Sequence, residues 1–174
     1  MSKEPTSTYT TRVSGLWSSR HELWKEEERQ GLLTMERNWH GMVTAGEYRP
    51  EKGEVLIFRR DPGLVRSQFS MWTEEREWLG SSLRWNPVQR TVQLSTGGKP
   101  YTLLPCPGLV RGWILQAPKT GLSARFEAGL IGRDSKLEVF RRLEFPLLLF
   151  AYFLGSQIYL ESLLPGPTLE HFPA

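Results

Sequence analysis

From Gly31 onward, short apolar segments rich in β-branched and aromatic residues alternate with turn-forming clusters. Candidate strands fall near Leu32–Arg37, Met42–Tyr48, Glu54–Arg59, Val65–Trp72, Trp78–Trp85, Gln89–Leu94, Tyr101–Leu104, Gly112–Gln116, Ser123–Gly129 and Ser135–Arg141. Pro50-Glu51-Lys52-Gly53, Asp61-Pro62-Gly63, Asn86-Pro87, Gly97-Gly98-Lys99 and Gly132-Arg133-Asp134-Ser135 supply turns between them. Short strands at spacings of about 8–12 residues point to an antiparallel sandwich or barrel. Alternation sets register in several places. Leu122, Ala124, Phe126 and Ala128 share one face, opposite Ser123, Arg125 and Glu127. Leu137 and Val139 oppose Lys136 and Glu138, and Val92 and Leu94 oppose Thr91 and Gln93. A slip of one residue would turn each apolar set outward.

The last apolar run differs in kind. Phe145 to Leu164 reads FPLLLFAYFLGSQIYLESLL, and its first ten residues contain no charged side chain. Pro146 suits the first turn of a helix, where a missing N–H costs nothing. Pro165-Gly166-Pro167 ends it. Such a helix is about 30 Å long at roughly 1.5 Å per residue. A helix apolar all round must be surrounded, by protein or by lipid. Arg141-Arg142 precede the run and no Lys or Arg follows it, the asymmetry of an anchor with its N-terminal domain in the cytoplasm. Against an anchor, Gly155-Ser156-Gln157 interrupts the run at mid-span, Glu161 follows one turn later, and no linker separates the run from Leu143. The favoured reading is a helix buried as the axle of a barrel. Gln157 and Glu161 then lie toward its mouth.

Two readings stand for the N-terminal region. Ser19-Arg20-His21-Glu22 matches a capping box ahead of the helix-forming run Glu22 to Gln30. Yet Trp17, Leu23 and Leu32-Leu33 form no single helical face, which leaves a strand and turn. Residues 1–11 read as a flexible polar tail without the apolar core of a secretory signal. The predicted organisation is one β-barrel domain over 12–165, with its central helix at about 145–164, and a C-terminal tail over 166–174. The fold class is mainly β: a closed antiparallel barrel enclosing a hydrophobic C-terminal α-helix.

Composition narrows the chemistry. Among 174 residues, 22 Lys and Arg face 19 Asp and Glu, a net charge of +3. That excess is too small to argue for specific nucleic-acid binding. The single Cys106 makes no intrachain disulfide and no zinc site, and fits a reducing cytosol. His21, His40 and His171 lack metal-ligand spacing, and a Cys106–His40 nucleophile–base pair would need the fold to bring the two together. The tryptophans (Trp17, Trp24, Trp39, Trp72, Trp78, Trp85 and Trp113) read chiefly as core, with base stacking or a membrane interface as alternatives. Gly97-Gly98-Lys99 is a hairpin turn and not a phosphate loop. No catalytic residue, metal site or cofactor is implied, and the expectation is a protein that is not an enzyme.

The basic residues carry the functional expectation. Arg59-Arg60 and Arg141-Arg142 each stand at a predicted strand end, so the two pairs could line one mouth of a barrel. Arg66, Arg84, Arg90, Arg111, Lys119, Arg125 and Arg133 are further candidates. The planar guanidinium offers phosphate two parallel hydrogen bonds. Alternation sends one Arg of each pair inward and one outward. The competing reading is a solvated rim that keeps strand edges soluble.

The strand order, together with Met71-Trp72 followed by Trp78-Leu79-Gly80, then Arg111-Gly112-Trp113-Ile114-Leu115 and the apolar run after Val139, resembles the tubby C-terminal-like superfamily. That superfamily includes the LURP-one-related proteins and the phospholipid scramblases. The likeness spans roughly Leu32 to Leu164. It implies a closed barrel around a hydrophobic helix and, as in some members, binding of anionic phospholipid or a membrane surface. Arg59, Arg60, Arg141 and Arg142 are the expected ligand-binding residues, in a cytoplasmic protein peripheral to the membrane. The calcium-type and nuclear-localisation elements of some members have no counterpart here. The alternatives are a tail-anchored protein with a cytosolic β domain and a lipocalin-type carrier. The position of the apolar helix separates the carrier from the other readings.

Overall fold

The computed structural model describes residues 4–15, 19–62, 67–85, 90–107, 111–128 and 134–162. Among them twelve strands close into one antiparallel barrel around one helix. The strands are β1 (Ser7–Ser14), β2 (Arg20–Lys25), β3 (Glu28–Arg37), β4 (Val43–Pro50), β5 (Leu56–Arg60) and β6 (Ser67–Thr73). They continue as β7 (Trp78–Arg84), β8 (Val92–Thr96), β9 (Lys99–Pro105), β10 (Gly112–Ala117), β11 (Gly121–Ala128) and β12 (Asp134–Val139), and α1 spans Phe145–Ser162. Each strand pairs with its neighbours in sequence, and β1 pairs with β12 from Ser7↔Val139 to Arg12↔Asp134 to close the ring.

One sequence expectation is corrected at the N-terminus: residues from Ser7 belong not to a tail but to the closing strand. Of the two readings of Glu22–Gln30, the strand and turn holds: β2 and β3 form a hairpin that turns at Glu26 and Glu27, with Glu26 at positive φ. Alternation wins over the capping pattern. His21 and Leu23 on β2, and Gly31, Leu33 and Met35 on β3, all point inward and are buried. At the β8–β9 hairpin, Gly97 and Gly98 both take positive φ between the paired Thr96 and Lys99. That is the geometry a two-residue hairpin favours.

In an up-and-down barrel, strand parity decides which end a residue occupies. Odd-numbered strands run toward one end, here termed the upper mouth, and even-numbered strands return to the lower mouth. The helix therefore starts at the lower mouth, after β12, and runs upward. Near the lower mouth the Phe145 ring lies 5.8 Å from the rings of both Tyr9 and Tyr48. Leu148 N–H donates to the Glu144 carbonyl at 3.1 Å, which opens the first turn.

The helix fills the barrel. Residues from Leu147 to Leu154 are all buried, which covers more than two full turns. The rings of Phe150 and Phe153 stack on Phe58 at 5.6 and 4.9 Å, and Phe153 meets Phe69 edge-on at 5.1 Å. Two glycines provide clearance. A Cβ on Gly46 would stand 2.7 Å from the Phe153 ring, and one on Gly155 would stand 2.6 Å from Trp113 Cδ1. One polar tie joins helix to wall: the Tyr152 hydroxyl donates to Thr11 Oγ1 at 3.1 Å and lies 2.6 Å from His21 Nδ1.

The outer wall bears ion pairs: Arg29 with Glu22 and Glu51, Arg49 with Glu47, and Arg125 with Glu127. A charged outside and an apolar inside reverse the polarity of barrels that cross a bilayer.

Three outcomes follow from this packing. Leu149→Ala and Phe153→Ala should each lower unfolding free energy by about 2–5 kcal/mol in urea titrations, as deep core truncations do. Gly155→Ala gains up to about 1 kcal/mol of helix propensity. The contact with Trp113 costs about 1–3 kcal/mol of overpacking and should make the variant less stable on balance.

A second check is pH. Burial, above all, raises the Tyr48 hydroxyl beyond the tyrosine range, and burial does the same to Tyr152. Below about pH 10 both are protonated whether folded or not; above it only the unfolded chain ionises readily. Stability should thus fall as pH rises past 10. The Tyr48 hydroxyl has no hydrogen-bond partner. Tyr48→Phe should therefore flatten that alkaline loss and cost under about 1 kcal/mol at neutral pH.

Candidate anion-binding end of the barrel

The two predicted arginine pairs do not converge. Arg59 and Arg60 close β5, an odd strand, at the upper mouth. Arg141 and Arg142 follow β12, an even strand, at the lower mouth beside the start of the helix. Opposite parity places the two pairs at opposite ends, so a pocket shared by all four is excluded.

Within the first pair the expected alternation holds. Arg60 faces inward, where its Nε donates to the Val43 carbonyl at 2.9 Å and its guanidinium lies 4.8 Å over the Phe69 ring. Arg59 is exposed on the outer wall. There it lines a groove of about 570 Å³ with Ile57, Trp72, Glu74 and Arg76. In the second pair Arg142 is exposed and Arg141 half-buried, its Nε without a hydrogen-bond partner.

The upper mouth gathers other arginines instead. Arg20 opens β2, Arg37 ends β3 and Arg84 ends β7, all at this end. Arg84 is buried on the inner face, whereas Arg20 is exposed. Arg90 and Arg111, both exposed, stand just ahead of β8 and β10 and complete the set. The acids here are Glu36, Asp61, Glu127 and Asp134; Asp61 Oδ1 accepts from Ser70 Oγ at 2.5 Å. The lower mouth is different. Its turns carry Glu26, Glu27, Glu51, Glu54, Glu74, Glu75 and Glu77 among their lysines and arginines. Of the further basic candidates, Arg84, Arg90 and Arg111 join the upper mouth. Lys119 lies at the lower one, and Arg125 pairs with Glu127 in the wall at 2.7 Å. Arg66 and Arg133 lie outside the described residues.

Sequence reasoning did not single out Arg20 and Arg37. Arg20 sat in a segment read as a helix start, and Arg37 is not part of a pair. Strand parity was the signal that would have found them.

The remaining candidates fall apart as a catalytic set. Cys106 is buried after β9, and burial pushes its thiol above the ordinary range although a hydrogen bond from Arg125 opposes the shift. His40 instead lies against Trp39, the two rings tilted by 35°. His21 is committed to Tyr152, and His171 lies outside the described residues. Among the described residues no group of three His, Cys, Asp or Glu could hold a metal ion. No helix among them is long and apolar enough to cross a membrane.

Compared with known proteins, the chain matches no family model, no curated protein and no solved structure.

The geometry divides Arg60 from Arg59. Arg60→Ala removes a hydrogen bond to a main-chain carbonyl and a ring contact, and should destabilise by about 1–2 kcal/mol in urea unfolding. Arg59→Ala on the exposed wall should stay within about 0.5 kcal/mol.

Proposed function

We propose that the chain is a non-enzymatic, tubby-like barrel protein that binds a phosphate-bearing ligand, an anionic lipid headgroup or another phosphate, at the upper mouth. The observation that carries this reading is the gathering of arginines at that end while the lower turns are rich in glutamate. Arginine suits the task because its fork pairs with two phosphate oxygens at once. Arg59 stays in the proposed site, with Arg20, Arg90 and Arg111 beside it, whereas Arg60 faces inward and serves the fold. Arg141 and Arg142 leave it.

A carrier of the lipocalin type needs a cavity, and the helix occupies the barrel interior. A tail anchor needs the same helix in lipid, whereas its central turns are covered by strands of its own chain. Both observations favour the binding module. The proposed setting is the cytoplasm, at a membrane periphery.

Isothermal titration with tripolyphosphate tests the reading. Arg59→Glu and Arg111→Glu should each weaken binding by about tenfold, roughly 1.4 kcal/mol. Arg141→Glu and Arg142→Glu should leave it unchanged. Affinity should fall between low and physiological salt, where screening acts over about 8 Å. Equal loss from substitutions at either mouth would reduce the arginines to a solubilising rim.

A further inference from the structure

The upper mouth carries apolar groups as well as charge. Trp39 is 89% exposed at the tip of the β3–β4 connection. That exposure is built in. The Asn38 side-chain oxygen accepts from the backbone N–H groups of His40 and Met42 at 3.1 and 3.0 Å. Asn38 N–H donates to the Met42 carbonyl, and Gly41 N–H to the Asn38 carbonyl, both at 2.9 Å. The turn is thus tied at both ends and holds the indole outward. Met42 in the same turn and Trp85 at the end of β7 are also exposed.

At the lower mouth Trp78 is exposed too, but Glu74, Glu75 and Glu77 precede it. An anionic surface would be repelled there.

We propose that the upper mouth docks end-on against an anionic bilayer surface, with Trp39 and Met42 entering the interface and the exposed arginines of the rim meeting lipid phosphates. This rests on the phosphate-binding reading above and narrows its partner to a membrane. A bilayer offers an apolar layer directly beneath a sheet of phosphate, and indole rings settle at that boundary. Basic residues beside an inserted apolar group add to its hold on anionic lipid. A single-stranded nucleic acid offers phosphates and a face for Trp39 to stack on, but no apolar medium for Met42.

Flotation with vesicles of phosphatidylcholine alone, or with about one-third phosphatidylserine, tests it. The protein should float with the anionic vesicles only. Trp39→Ser and Met42→Ser should each lower partitioning about fivefold, the worth of one partly buried apolar side chain. Tripolyphosphate affinity should be unchanged in both variants. Arg111→Glu should weaken both vesicle and tripolyphosphate binding. With brominated lipid, Trp39→Phe should remove more of the fluorescence quenching than Trp78→Phe does. Thermal melts like those of the wild type would show that these exposed substitutions leave the fold intact.

Vesicle binding indifferent to Trp39→Ser, quenching carried by Trp78, or equal binding to neutral vesicles would overturn the docking geometry. So would Trp39-dependent binding of a single-stranded oligonucleotide without binding to vesicles. If tripolyphosphate binds and any of these results is found, only the membrane inference fails. If tripolyphosphate does not bind either, the phosphate reading fails first.

Discussion

The constraint on which this fold depends is a helix with no polar face. Such a helix cannot lie on a surface, because every side of it must leave water. The chain meets that demand with its own strands. Twelve strands give a bore wide enough for a helix. The fit is then set by detail: aromatic rings of α1 stack on Phe58 and Phe69, and glycines stand where those rings, or Trp113, come closest. Among the described residues, α1 buries two larger polar side chains: Tyr152 finds partners in Thr11 and His21, whereas the Gln157 Nε2, nearer the upper mouth, has none. An unpaired hydroxyl at that depth would cost more than the bond returns.

That same tie explains which parts of the fold could be read from the sequence. Strands whose inner faces meet apolar helix side chains show alternation, as β12 does throughout and β11 does from Ala124 onward, past the register shift at Ser123. The helix announced itself by composition. The first two strands did not, because the helix presents a hydroxyl to them. Thr11 and His21 are inner-face residues chosen to meet Tyr152, so a period of two written in hydrophobic residues is missing there. The segment around Ser7 then resembles a polar tail, and Ser19 to Glu22 resembles a helix cap. A tertiary contact overturned the tail reading in the first case and, in the second, decided between the two readings that local pattern left open.

The candidate site was half legible. Paired arginines at strand ends were visible, and the inward Arg60 and outward Arg59 follow from alternation alone. Which ends they share is a matter of counting. The predicted strands ending at Arg59 and Arg141 are separated by an odd number of steps, as β5 and β12 are, so an up-and-down barrel always parts them. Trp39 was harder to read. Tryptophan in a β-rich chain is usually core, and only the Asn38-centred turn shows that this indole is held away from it.

A barrel filled by its own helix has no interior to offer a ligand, which moves any binding chemistry to its outer wall and its two rims. The rims are not equivalent. Inward-facing Arg60 and Arg84 stand at the upper one. The arginines of this mouth divide by direction. The inner ones serve the core, as the contacts of Arg60 with Val43 and Phe69 illustrate. The outer ones, Arg20, Arg59, Arg90 and Arg111, are exposed and add no such support to the fold. Contacts within the wall and core thus account for the inner Arg60 but not for the outer arginines or for the exposed Trp39, and it is this remainder that calls for a partner outside the chain.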